Sequence, residues 1–212
     1  MKKKSYYILF SVLVSLSIST AFLHKYFLIT DELFKRHWNN QLSTSKIEDI
    51  LEVTNEYSWI SFVIIPIFYI IKINLISVWI LSATILLGYK NTFQEIFCAV
   101  LIAEFVWLIP SFVTLIWFGF IDTNYNLIDV QYFKPLSLLN LFDLSEVETW
   151  LIFPLQAFNL FEVVYMFILA IGIKRILKKD YNTALNFTIP VYGTALITWI
   201  ALITFLSINL ST

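Results

Sequence analysis

One cysteine, two histidines and four glycines in 212 residues leave little room for several kinds of chemistry. Cys98 has no second cysteine to pair with, so an intrachain disulfide is excluded and the redox compartment is not legible. His24 and His37 stand thirteen residues apart, outside the main apolar runs, and are too few for a zinc site. No metal and no cofactor is therefore expected. Glycine this scarce excludes a glycine-rich phosphate loop, and neither H-E-x-x-H nor G-x-S-x-G occurs. With no histidine in a main apolar run, nothing is placed to activate a serine or cysteine nucleophile. Cys98, inside Phe97-Cys98-Ala99-Val100, reads as a small packing residue. Charged residues make up only 14% of the chain, the formal net charge is −1, and no long basic block occurs, which excludes nucleic acid as a partner. No small-molecule substrate is identifiable, and the chain reads as a non-enzyme.

What is abundant is hydrocarbon. Apolar residues account for 59% of the chain and aromatic ones for 18%, the composition of an integral membrane protein whose first partner is the lipid bilayer. A crossing helix needs about 20 apolar residues. Five segments qualify: 6–23, 57–88, 93–121, 150–173 and 185–209. The expected fold is all-α, a polytopic helical bundle in one membrane domain over 1–212. The first segment follows Lys2, Lys3 and Lys4 and ends in small residues. It reads as a retained first span, with a signal peptide as the alternative. The run 57–88 would reach about 48 Å as one helix. It is either a single helix bent at Pro66 or a hairpin turning at Lys72, Ile73 and Asn74, which would make six spans.

Basic residues favour one crossing. With a cytoplasmic N-terminus, that side holds Lys2, Lys3, Lys4, Lys90, Lys174, Arg175, Lys178 and Lys179, against Lys25, Lys35, Arg36, Lys46 and Lys134 outside. A hairpin would turn the Lys174 to Lys179 cluster outward, against the positive-inside rule. The C-terminus then lies outside an inner, cytoplasmic membrane. Capping boxes are legible at Thr92–Glu95 and Ser145–Glu148, and Asn182 or Thr183 is placed to cap the last span. The outer segments 24–56 and 122–149 mix charge with apolar clusters. Ile47, Ile50 and Leu51 fall on one helical face, as expected of interfacial helices. The second segment reads as a lipid-facing amphipathic helix, or else as a re-entrant cap or docking surface.

Three ionisable residues sit near the middle of apolar runs: Lys72, Glu104 and Glu162. A charge at that depth costs about 2.5–3.5 kcal/mol on insertion scales, so the three are expected to meet one another. Glu104 shares a helical face with Trp107, Ser111 and Thr114, while Asn159, Glu162, Met166 and Ala170 share another. Lys72, Glu104, Asn159 and Glu162 form the candidate intramembrane polar cluster. Its readings are a buried ion pair that fixes helix rotation, or a proton or ion path through the second carboxylate. Snorkelling would instead carry Lys72 to the interface. Ser11, Ser15 and Ser19 recur at four-residue spacing and read as a helix-packing seam.

The motif Leu87-Gly88-Tyr89-Lys90-Asn91-Thr92-Phe93-Gln94-Glu95 leads into a span ending near Pro110. Asn159-Leu160-Phe161-Glu162-Val163-Val164-Tyr165 runs on to Gly172-Ile173-Lys174-Arg175, and Ile189-Pro190-Val191-Tyr192-Gly193 lies near the start of the final span. From the second span onward this layout resembles bacterial relatives of the Yip (Ypt-interacting-protein) family of five-span membrane proteins. The sequence has neither the long soluble N-terminal region of eukaryotic members nor their acidic-Leu-Tyr-Gly-Pro motif, so trafficking with small GTPases does not transfer. The resemblance implies a non-enzymatic membrane protein. The expected role is a structural or accessory subunit that binds other membrane proteins in a larger assembly, with a small ion- or proton-coupled transporter or channel as the alternative.

Overall fold

The computed structural model describes residues 3–210. Among these the fold is all-α, with one isolated antiparallel bridge and no named strand. The first helix, α1 (Lys3–Leu23), runs into a π turn at His24–Leu28. Two short helices follow, α2 (Asp31–Trp38) and α3 (Thr44–Glu56). Thr30 caps α2 by accepting from the Leu33 N–H, and Leu33, Ile47 and Leu51 turn inward. Ile50, expected on the same face as Ile47 and Leu51, is exposed.

α4 (Ser58–Leu86) is one continuous 29-residue helix. The hairpin alternative at Lys72 is not formed, and Pro66 is carried within the helix. Gly88 ends it at φ +78°, a left-handed conformation that glycine adopts without steric cost. The Tyr89 N–H reaches back to the Thr84 carbonyl at 2.9 Å and the Gly88 N–H to that of Ile85 at 3.0 Å, which satisfies two end carbonyls.

The expected capping box at Thr92 and Glu95 is present and opens α5 (Phe93–Ala103). A 3₁₀ turn at Glu104–Trp107, α6 (Leu108–Ile116) and a π turn at Trp117–Ile121 continue the same rod. Pro110 supplies no N–H for the helix, and the turn before it tightens. Beyond it lies α7 (Leu127–Tyr132), capped by Asn126. The long amphipathic helix expected over 122–149 is not formed, because 3₁₀ turns at Leu138–Leu141 and Leu144–Glu146 interrupt it. Ser145 does not open a capping box: its own N–H is tied to Asp143 at 2.9 Å, and the next helix starts after Glu148 without a side-chain cap.

The apolar run 150–173 is divided into α8 (Thr149–Ala157) and α9 (Leu160–Leu177). Phe158 and Asn159 between them are extended. Residues 136–138 pair with this gap: the Leu138 N–H donates to the Phe158 carbonyl at 2.9 Å and the Leu160 N–H to that of Leu136 at 3.1 Å. The stitched gap is the one β-bridge, between Ser137 and Asn159. After Lys178, at φ +54°, α10 (Tyr181–Leu210) returns along α9 and α8. Asp180, rather than Asn182 or Thr183, receives the Thr183 N–H at 3.1 Å and caps it.

Four stretches are long and apolar enough to cross a membrane: Ser5–Leu28, Ser58–Leu86, Phe93–Ile121 and Tyr181–Asn209. The fifth apolar run, broken at 158–159, is not among them. Its α9 portion instead packs centrally, against α5 and α10. At the tightest crossing a Cβ built on Gly172 would stand 2.5 Å from the Ala99 Cβ, so only hydrogen fits there. Ile73, Ile96, Val100, Leu101, Leu169 and Ile173 fill the core around this seam. On α1 the residues facing the bundle are Leu13, Ser17 and Thr20. Ser11, Ser15 and Ser19 are exposed on the opposite side, which corrects the expected packing seam. The serines share a face by spacing, but the face that binds α4 is set by Leu13 and by the Ser17 hydroxyl, which donates to Tyr69 at 3.0 Å.

Candidate functional site

The groups at the centre of the bundle come from four helices. Lys72 lies midway along α4, and its Nζ donates to Glu104 Oε2 at 2.8 Å. The Glu104 side chain is fully buried, while that of Lys72 is 25% exposed. Lys72 therefore turns into the bundle and does not snorkel to an end. Its ammonium also lies 4.9 Å from the Trp107 ring centroid and 5.7 Å from that of Tyr165, within cation–π range.

Glu104 Oε1 accepts from the Tyr165 hydroxyl at 3.0 Å, so both carboxylate oxygens are engaged. A buried carboxylate left unpaired would be far more costly than this arrangement. The Tyr165 ring packs at 5.0 Å from that of Tyr192 on α10, and the Tyr192 hydroxyl donates to Glu162 Oε1. The three ionisable groups singled out in the sequence thus belong to one cluster, linked through two phenols. Lys72 and Glu104 touch directly. Glu162 joins them through Tyr192 and Tyr165.

Asn159 plays a different part from the one its spacing suggested. It is the N-cap of α9, not a member of a helical face, and its Oδ1 accepts from the Glu162 N–H at 2.9 Å. Its Nδ2 donates to the Gln156 and Ala157 carbonyls at 3.0 and 3.1 Å, satisfying the end of α8. Glu162 consequently stands in the first turn of α9, where the helix dipole favours a carboxylate. The helical gap therefore offers few free carbonyls, since those of Gln156, Ala157 and Phe158 each accept an N–H.

Tyr165 and Tyr192 are the residues sequence reasoning missed. Both are almost fully buried, and the signal available was their position: Tyr165 stands three residues after Glu162, and Tyr192 beside Pro190 in the last helix.

A second feature opens beside this cluster. A groove of about 860 Å³ lies between α1 and α4, reaching from Tyr69 and Trp107 to Asp31 and Asn55. Phe62, Ile65, Phe68 and Leu108 are among its apolar lining residues. His24 ties one side to α6 through its Nε2 and the Ser111 carbonyl, 3.0 Å apart.

No family model, no curated protein and no solved structure matches the chain.

Proposed function

We propose that the chain is a non-enzymatic, multi-pass membrane protein that acts as an accessory subunit, binding other membrane proteins in a larger assembly. The observation that supports this most is the self-sufficiency of the polar cluster. Lys72 and Tyr165 bond to Glu104, Tyr192 bonds to Glu162, and the two sets meet where the Tyr165 and Tyr192 rings pack, which suits a lock on helix rotation better than a reacting centre. A buried pair of this kind specifies a packing more than it adds stability. Outside it, large apolar side chains such as Trp59, Phe120, Ile197 and Phe205 face outward along the long helices. Lipid or partner helices must cover such a surface.

In this reading the chain lies in an inner, cytoplasmic membrane and the buried helix α9 makes a fifth crossing, which puts the N-terminus on the cytoplasmic side and the C-terminus outside. The basic residues at Lys90 and Lys174 to Lys179 support that orientation. The likeness to bacterial Yip relatives fits the same role, through the Thr92–Glu95 entry and the Asn159 to Arg175 segment.

In-membrane crosslinking followed by purification tests the reading: a defined membrane-protein partner is expected in stoichiometric yield. A lone monomer, with no partner recovered under several crosslinking chemistries, would overturn it. One observation favours the alternative of a small ion- or proton-coupled transporter, namely the interrupted helix α8–α9 with a carboxylate in the first turn after its gap. Under that alternative Glu162→Gln stays folded and loses proton- or ion-dependent flux in liposomes. Under the accessory reading neither Glu162→Gln nor the parent protein shows such flux.

A further inference from the structure

We propose that the groove between α1 and α4 holds one phospholipid with a zwitterionic headgroup, its phosphate at Lys25, its amine at Asp31 and an acyl chain running down to Tyr69 and Trp107. This rests on the membrane reading above and adds an occupant to it. The register of the two helices comes first. Ser17 meets Tyr69 at 3.0 Å and the Phe22 ring lies 6.3 Å from that of Phe62, so α1 and α4 run antiparallel. Eight residues on from Ser17 and eight back from Tyr69 place Lys25 level with Ser61, about 12 Å above the groove floor.

Length supports a lipid. The groove lining on α4 extends from Ser58 to Tyr69, twelve residues and about 18 Å of helix. Half of a hydrocarbon core is about 15 Å, so the groove has the depth of one leaflet. Its volume of about 860 Å³ is in the usual range for a ligand site, about 300–1,000 Å³. Polarity is sorted along that depth in the same sense as in a lipid. By the same register Ile65 and Phe68 lie below Lys25, toward the floor at Tyr69, while Phe62 lies at its level and Asp31 and Asn55 line the mouth.

Charge selects the headgroup. Among the described residues Lys25 makes no salt bridge; the residue is half-buried and its ammonium lies 5.4 Å from the Tyr26 ring centroid. Asp31 is held only by the Asn55 amide, at 3.3 and 3.5 Å. One cation and one anion, neither in an ion pair among the described residues, line the same mouth, which complements a phosphate and an ammonium together. A purely anionic headgroup would satisfy Lys25 and oppose Asp31. Lys25 is also displayed by the π turn at His24–Leu28, an irregularity found frequently at functional sites. The exposed helices α2 and α3, which contribute Asp31 and Asn55, border the mouth from above.

The test reconstitutes the full chain into vesicles of phosphatidylethanolamine and phosphatidylglycerol, with one or the other carrying a diazirine near the end of an acyl chain. Photolabelling of peptides containing Phe62 to Phe68 and Leu108 to Ser111 is then mapped. The ethanolamine probe is expected to label them in excess over the outward faces, and about fivefold more than the glycerol probe. Lys25→Glu lowers that labelling about fivefold and leaves outward faces unchanged, Lys25→Arg restores it, and Ser61→Trp abolishes it by filling the groove. Labelling shared evenly between groove and outward faces, equal labelling by the two lipids, indifference to Lys25→Glu, or a protein partner crosslinked into the groove would each overturn the proposal. Release of the chain from membranes by alkaline carbonate would overturn the membrane reading itself, and so is distinguishable from failure of the groove alone.

Discussion

The α5–α9 seam and the α1–α4 groove treat the same problem, two apolar helices side by side, in opposite ways. At the seam, Gly172 lets α9 approach until it touches Ala99, and small residues leave no space. At the groove, α1 and α4 meet at Ser17 and Tyr69, and about 860 Å³ stays open beside them, bordered also by α2, α3 and Trp107, Leu108 and Ser111. The polar cluster sits where the two regimes join: Glu104 follows directly on α5, and Trp107, which packs on Lys72, also lines the groove. Tight packing and directional bonds are concentrated on one side of that junction. The other side keeps its helices in place through few bonds, and stability should be distributed accordingly.

The largest effect should come from breaking the cluster. Glu104→Leu leaves the Lys72 ammonium and the Tyr165 hydroxyl without their carboxylate, and a loss of about 3–5 kcal/mol is expected in reversible unfolding in detergent. Combining Lys72→Met, Glu104→Leu and Tyr165→Phe should recover most of that loss, because no uncompensated charge remains. A triple variant as unstable as the single one would show that the cluster contributes more than mutual neutralisation.

Next comes Gly172→Val, which forces α9 away from Ala99 and should cost about 1–3 kcal/mol by the same measurement. The matched change across the groove, Ser61→Leu, should shift stability by no more than about 0.5 kcal/mol, since it enters open space. Equal costs at the two sites would erase the distinction between seam and groove.

The smallest effect lies at the entry to α10. Hydrogen bonds from the Thr183 hydroxyl and N–H hold the Asp180 carboxyl below its ordinary range. Its stabilising contribution is therefore present above that ordinary range and is lost as pH falls through the lowered value. Asp180→Asn keeps a cap but removes the charge, so the acid limb of the melting temperature against pH should flatten slightly. An unchanged acid limb would assign the pH dependence to other carboxylates.

Much of this arrangement was legible from single residue types. A charge is too costly to bury alone, so Lys72 and Glu104 could be expected to meet, and they do. Thr92 and Glu95 announced a helix start because a hydroxyl and a carboxylate three apart satisfy two backbone donors. The break at Phe158 was not legible as such, since neither glycine nor proline marks it. Asn159 with Glu162 three residues later is itself an N-cap pattern, but within a long apolar run it reads equally as one face of a helix. Tyr165 and Tyr192 were hidden for a related reason. Hydropathy counts a buried tyrosine as an aromatic body, whereas here each hydroxyl holds one carboxylate and the packed rings join the two. The serine stripe on α1 shows the limit of spacing alone: it identifies a face without saying which way the face turns.

The interrupted helix also bears on the order of assembly. When α9 has just been synthesised, Glu162 has its Asn159 cap but not the phenol of Tyr192, which arrives with the following helix. Residues 136–138, by contrast, precede the gap they stitch and are already available to pair with it. The chain thus reaches the break with its backbone provided for and the carboxylate still waiting. A nascent chain halted before Tyr181 would lack the group that covers Glu162, so it is α10 that closes the polar centre.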